Sequence, residues 1–170
     1  MSKSVQLVTC VTNAGGIGPG HSAIAYNNTV YSFEQLDYGK SGSGWLVIGL
    51  TKYINNNKHR PVILQELTSA VSAAKVLKYI QSSMRNDDDY IGSGVCSSQA
   101  AAAIDAAYSG TFNTIGVDKP YEIYQLAKDK GIVKSETMHW AGEGDCNWFV
   151  RNRIKGILAQ LKAGFSWAVW

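Results

Sequence analysis

A chain of 170 residues, 45% apolar and 17% charged, has the size of one domain and enough apolar material for a core that needs no metal or disulfide. Its net charge of +3 is scattered apart from Arg151, Arg153 and Lys155, so the concentrated basic surface of a nucleic-acid binder is absent. An enzyme working near anionic cell wall or lipid remains admissible. Three cysteines, Cys10, Cys96 and Cys146, show no paired spacing. That argues against a disulfide framework and a structural zinc site, and leaves at least one thiol free.

Residues 1–4 lead straight into a strand-like segment without the apolar run and cleavage site of a signal peptide. No stretch approaches the roughly 18 apolar residues needed to span a bilayer. The expectation is synthesis in the cytoplasm, with something other than a standard signal carrying the chain elsewhere.

In chain order, residues 5–12 are β-branched and apolar enough for a strand. Residues 13–20 form a loop with four glycines, Gly15, Gly16, Gly18 and Gly20, which lacks the spacing of phosphate-binding loops and reads as a rim of a site. Two apolar runs, residues 20–26 and 30–34, flank the polar break Asn27-Asn28-Thr29 and predict a β-hairpin. The hairpin places His21 at the mouth of its first strand and Glu34 at the far end of its second, as neighbours. Residues 39–44 read as a flexible connector and residues 45–53 as a strand. Residues 55–60 are a polar turn in which His59 is solvent-facing, and residues 61–67 form another strand. About five strands in all is a common sheet size.

The period then changes to helical. Residues 68–85 predict an amphipathic helix with Thr68 as N-cap, stopped at Asn86. The alanine-rich run from Cys96 to Tyr108 predicts a second helix whose first turn includes Cys96. Residues 119–130 predict a third, with Pro120 in its first turn and Gly131 as its stop, and residues 151–161 a fourth. The fold class expected is α+β, a single domain over residues 1–170 in which an antiparallel sheet packs against helices.

These elements point to a thiol site. A thiol is a poor nucleophile until its thiolate is favoured, which a helix N-terminus and a nearby imidazolium both do. Cys96 has the helix start in sequence, and His21 faces it if its strand packs beside that helix. Glu34 would accept a hydrogen bond from the other ring nitrogen and hold the useful tautomer. The backbone N–H groups of Cys96 and Ser97 would face a developing oxyanion.

The segments Gly-His-Ser-Ala-Ile-Ala at residues 20–25, Val-Tyr-Ser-Phe-Glu at 30–34 and, further along, Val-Cys-Ser-Ser-Gln-Ala-Ala at 95–101 resemble the circularly permuted papain-like hydrolases of the NlpC/P60 superfamily. In that group the histidine strand precedes the cysteine helix. Lys119-Pro120-Tyr121-Glu122 is similar to the proline-led segment that follows it. The resemblance covers residues 18–131. It implies Cys96 as nucleophile, His21 as base and Glu34 as the third polar residue, with no metal or organic cofactor. It also implies amide cleavage in peptidoglycan peptides, or hydrolysis or acyl transfer on a protein or lipid. Several bacterial antagonistic toxins resemble the group. That implies an antibacterial effector, delivered to another cell's periplasm by a specialised secretion system, with an immunity protein or a secretion-machine component as partner.

Other readings stand beside this one. Cys10, inside an apolar strand, reads as a core residue. Gln35 or Asp37 could take the place of Glu34. Residues 139–148 hold His139, Glu143, Asp145, Cys146 and Asn147, from which a metal site or a papain-ordered set of Cys96, His139 and Asn147 could be built. The absence of a second Cys/His pair at ligand spacing argues against the metal, and the segment reads better as a packed loop or cleft wall. The aromatic tail, residues 165–170, reads as docking onto the domain. A binding module that has lost catalysis is the non-enzyme alternative.

Overall fold

The structure, a computed structural model, describes residues 4–10, 20–34, 44–58, 60–86, 96–115, 117 and 119–139. Six strands, β1 (Gln6–Cys10), β2 (His21–Tyr26), β3 (Thr29–Phe33), β4 (Trp45–Gly49), β5 (Val62–Leu67) and β6 (Val133–His139), form one sheet in the order β4-β3-β2-β1-β5-β6. Every neighbouring pair is antiparallel. Among the described residues four helices cover it, α1 (Leu50–Asn57), α2 (Ala73–Arg85), α3 (Cys96–Asp105) and α4 (Pro120–Asp129). The fold is therefore α+β, an antiparallel sheet packed against helices.

Strand alternation gives the sheet two apolar faces. Leu7, Ile24, Phe33 and Leu67 pack with Val76 and Ile80 of α2, Ala100 and Ile104 of α3, and Ile123 of α4. Val8, Cys10, Ala23, Ala25, Val30, Val62 and Leu64 pack with Tyr53 and Ile54 of α1. A strand between two apolar layers is apolar at nearly every position, which is why β1 and β2 read as continuous runs rather than as alternation. The alanines of α3 let that helix lie close to the sheet, and Ala101, Ala103 and Ile104 are fully buried.

Three expectations are corrected. Residues 45–53 are not one strand. The strand ends at Gly49 and α1 follows, because Leu50, Tyr53, Ile54 and Asn57 recur at helical spacing and put Leu50, Tyr53 and Ile54 against the sheet. The helix expected from Thr68 begins at Ala73 after Ser72, and residues 68–71 form a turn closed by Val71 N–H to the Thr68 carbonyl at 3.1 Å. A sixth strand exists where none is expected. In β6, every residue after Val133 is exposed, so this edge strand carries no alternation for a sequence to display.

The helix over residues 119–130 is α4, with Pro120 at its first position. Glu122 closes its start by accepting from Lys119 N–H at 2.9 Å. Gly131, at φ +64°, ends it in the left-handed conformation that glycine adopts freely. The expected helix over 151–161, the glycine loop before Gly20, the connector over residues 39–43, His59, Gln35, Asp37, Cys146, Asn147 and the aromatic tail lie outside the described residues.

Candidate active site

The hairpin that carries the site is set by its turn. Asn27 and Asn28 both have positive φ, 48° and 63°, the two-residue geometry whose twist matches the flanking strands. It pairs Tyr26 with Thr29 and, further up, Ala23 with Ser32. That pair is the last of the β2–β3 ladder. Beyond it the Glu34 backbone N–H is bonded to the Gly44 carbonyl, just before β4. Gly20, just before His21, approaches β1 so closely that a Cβ there would lie 2.5 Å from the Cys10 carbonyl oxygen.

His21, Ser32 and Glu34 share one face of the sheet and are joined by hydrogen bonds. His21 Nε2 lies 2.6 Å from Ser32 Oγ, and Ser32 Oγ donates to Glu34 Oε1 at 2.6 Å. The direct separation from His21 Nε2 to Glu34 Oε1 is 3.6 Å. The expected hydrogen bond between the carboxylate and the imidazole is thus relayed through Ser32. The relay also fixes the ring. A hydroxyl has one proton, and while Ser32 gives it to the Glu34 carboxylate, Nε2 carries the proton given to Ser32. Nδ1 is left with its lone pair, as a base requires.

The ring is neutral at rest. Burial, with the positive field of Arg60 in second place, holds the His21 pKa down at about 4. Arg60 stands immediately before Pro61 and β5, its Nη2 donating to Asn57 Oδ1 at 2.8 Å.

Cys96 is the first residue of α3 and only 5% exposed. The backbone N–H groups of Ser22 and Ser97 face its sulfur, and the Ser97 hydroxyl lies 3.9 Å from it. These donors favour a thiolate, but burial outweighs them and the Glu34 charge adds to it, so the thiol pKa is raised. Burial thus opposes the thiolate that the helix start favours. A protonated thiol and a neutral imidazole stand in its place.

The structure therefore brings His21, Ser32 and Glu34 together, and seats Cys96 against Ser22, the residue next to His21. Strand alternation sends His21 toward the α1 face and Ser22 toward the α3 face. Cys96 and His21 thus flank the end of β2 from opposite faces, where the β2–β3 ladder has stopped. Among the described residues no hydrogen bond joins them directly. The helix-start N–H groups of Cys96 and Ser97 remain the candidate oxyanion donors; that of Ser97 faces the thiol at rest.

His139 sits elsewhere. It pairs with Val62, which pairs with Cys10, which pairs with His21, so three interstrand steps of about 4.8 Å separate it from His21. It is exposed at the sheet edge, whereas α3 packs on β2 and β3. A papain-ordered set built on His139 finds no support in that placement. Cys10 is fully buried, with its thiol pKa raised by burial.

Two residues escaped the sequence reading. Ser32 stands two positions before Glu34 on the same strand face, which is the signal that could have found it. Arg60 gives no local signal, because only the fold brings it to His21. Among the described residues no cluster of three or more His, Cys, Asp or Glu side chains is placed to hold a metal ion, and no helix is long and apolar enough to cross a membrane. Comparison with family models, with curated proteins and with solved structures returns no match to this chain.

Proposed function

We propose that this protein is a cysteine hydrolase that cleaves an amide bond, with Cys96 as nucleophile and His21 as base. The observation that carries the reading is the oriented relay from His21 through Ser32 to Glu34, which presents a neutral Nδ1 base at the strand end against which Cys96 is seated. Because both groups are neutral at rest, the proton moves from Cys96 Sγ to His21 Nδ1 as the sulfur attacks the acyl carbon. The imidazolium that forms is stabilised through Ser32 by the Glu34 carboxylate. The N–H groups at the start of α3 receive the oxyanion. His21 then returns the proton to the leaving amine, and water attacks the thioester with His21 again as base. The Cys96–His21 hydrogen bond is one to be made in the substrate complex, since catalytic hydrogen bonds in a free enzyme are commonly longer than in the complex.

Peptidoglycan peptides are the proposed substrate class, and action against other bacteria from the periplasmic side the proposed use. Delivery by a specialised secretion machine and neutralisation by an immunity protein belong to the same proposal. These rest on the likeness of residues 18–131 to the permuted papain-like hydrolases, not on the geometry of the site. The test is digestion of purified sacculi by the full chain and by Cys96→Ala, with products identified by mass spectrometry. New amine and carboxyl termini from the wild type alone are expected; equal release by the variant would overturn the mechanism. Panels of protein and lipid acyl substrates, run in parallel, separate the related hydrolase and acyltransferase readings.

The burial of Cys96 supports a second reading, a binding module without catalysis. A Cys96 that reacts with iodoacetamide no faster than a thiol in unfolded protein at neutral pH would favour it.

A further inference from the structure

Tyr53 belongs to α1, on the side of the sheet away from the cysteine helix, and is 2% exposed. A residue so placed needs only its ring to fill the core. Its hydroxyl, however, lies among the groups behind His21. It is 3.7 Å from Cys10 Sγ, and Cys10 is the register partner of His21. Ser32, which already links His21 to Glu34 at 2.6 Å on each side, lies on the same face of the sheet and within the electrostatic reach of that hydroxyl.

We propose that Tyr53 is a positioning residue of this site, its hydroxyl donating to Ser32 Oγ so that Ser32 keeps its own proton on Glu34 and His21 keeps its proton on Nε2. The inference rests on the reading of His21 as the base. The direction of every proton follows from the end of the chain. Glu34 accepts only, so Ser32 donates to it, and the two lone pairs of Ser32 are left for His21 Nε2–H and Tyr53 O–H. Tyr53 in turn has its oxygen free for the Cys10 thiol proton. Burial keeps the phenol pKa above its ordinary value, so the donor persists throughout the working pH range. With both lone pairs of Ser32 filled, its hydroxyl cannot turn toward the imidazole, and the tautomer with a proton on Nδ1, useless as a base, loses the donor that its bare Nε2 needs. Chains of this kind polarise one another and rigidify the group at their end.

The other charged and titratable groups near His21 are Glu34, Arg60 and Cys10, with Cys96 seated against the neighbouring Ser22. Tyr53→Phe removes one oxygen and keeps the ring. Long-range proton–nitrogen NMR on the histidine-labelled full chain reads the tautomer directly. The wild type is expected as the Nε2–H form. In Tyr53→Phe a measurable Nδ1–H fraction appears, and the alkylation of Cys96 by iodoacetamide slows by roughly three- to tenfold, the size of one neutral hydrogen bond.

A folded Tyr53→Phe with wild-type tautomer and alkylation rate would overturn the proposal and leave Tyr53 a packing residue. Should that variant fail to fold, the wild type decides. An Nδ1–H tautomer in it overturns the proposal, and an Nε2–H tautomer with a Tyr53 hydroxyl proton close to the Ser32 methylene protons supports it. The tautomer does not depend on hydrolysis, so a wild type with the expected tautomer and no action on any acyl substrate would remove the proposed function and leave the Tyr53 assignment intact.

Discussion

Ser32→Ala is the substitution that separates a relayed carboxylate from one acting directly. Ser32 makes two hydrogen bonds of 2.6 Å, one from the imidazole and one to a carboxylate, while Glu34 stands 3.6 Å from Nε2. Deleting the hydroxyl leaves a partly buried Nε2–H donor without its partner, a loss of about 1.5–3 kcal/mol for a hydrogen bond in a charge-assisted chain. If that loss falls on the state in which His21 becomes imidazolium, each 1.36 kcal/mol is a tenfold change in rate. Cys96 alkylation should then slow by about 10- to 100-fold, with a smaller change in unfolding midpoint. The assay is the iodoacetamide rate between pH 5 and pH 9, assigned to Cys96 by peptide mass spectrometry. Ser32→Thr, which keeps the hydroxyl, should recover most of the rate. A Ser32→Ala rate within about twofold of wild type, with Glu34→Gln far slower, would refute the relay.

Acid should destabilise the protein through His21. Its pKa lies at about 4 in the folded protein against about 6.5 unfolded, so the unfolded chain binds the extra proton between those values and stability falls as pH falls. About 2 kcal/mol should be lost between pH 7 and pH 5. His21→Gln should flatten that part of a urea-midpoint profile, and an equal slope in the variant would contradict the placement of a neutral, partly buried ring. Gly20→Ala puts a Cβ 2.5 Å from a backbone oxygen of β1, so the start of β2 must shift and carry His21 with it. Cys96 alkylation should fall by tenfold or more, on the order expected when a site residue is displaced by about 1 Å. A variant with an unchanged rate would show that the β1–β2 approach does not position the ring.

Much of the fold was legible because it follows from local rules. The Asn27-Asn28 turn, the alanine run of α3, and Pro120 with Gly131 at the ends of α4 each carry their own signal. What failed did so where tertiary placement overrides pattern. Residues 50–57 are apolar only on one side of a short helix, which a reading for strands absorbs into β4. Residues 133–139 pair at an edge with both faces exposed, so nothing but their partner β5 makes them a strand. The site divides in the same way. His21 and Glu34 were visible as hairpin neighbours, but the small offset that brings Ser32 between them depends on where the β2–β3 ladder stops. The helix start that favours a Cys96 thiolate was visible locally, but the burial under the whole fold that opposes it more strongly was not. Arg60 and Tyr53 reach the histidine only through β5 and α1, elements distant in sequence.

The central claim is that Cys96 attacks an acyl carbon with His21 taking its proton, and an activated ester tests it most directly. Reaction of the full chain with p-nitrophenyl acetate should transfer the acetyl group to the Cys96 sulfur, release p-nitrophenolate and leave a thioester found by peptide mass spectrometry on the peptide containing Cys96. The account predicts that adduct in the wild type, none there in Cys96→Ala, and formation slowed by about 100-fold or more in His21→Ala, within the contribution of a general base. A folded wild type that acetylates elsewhere, or acetylates Cys96 at the same rate without His21, would contradict it.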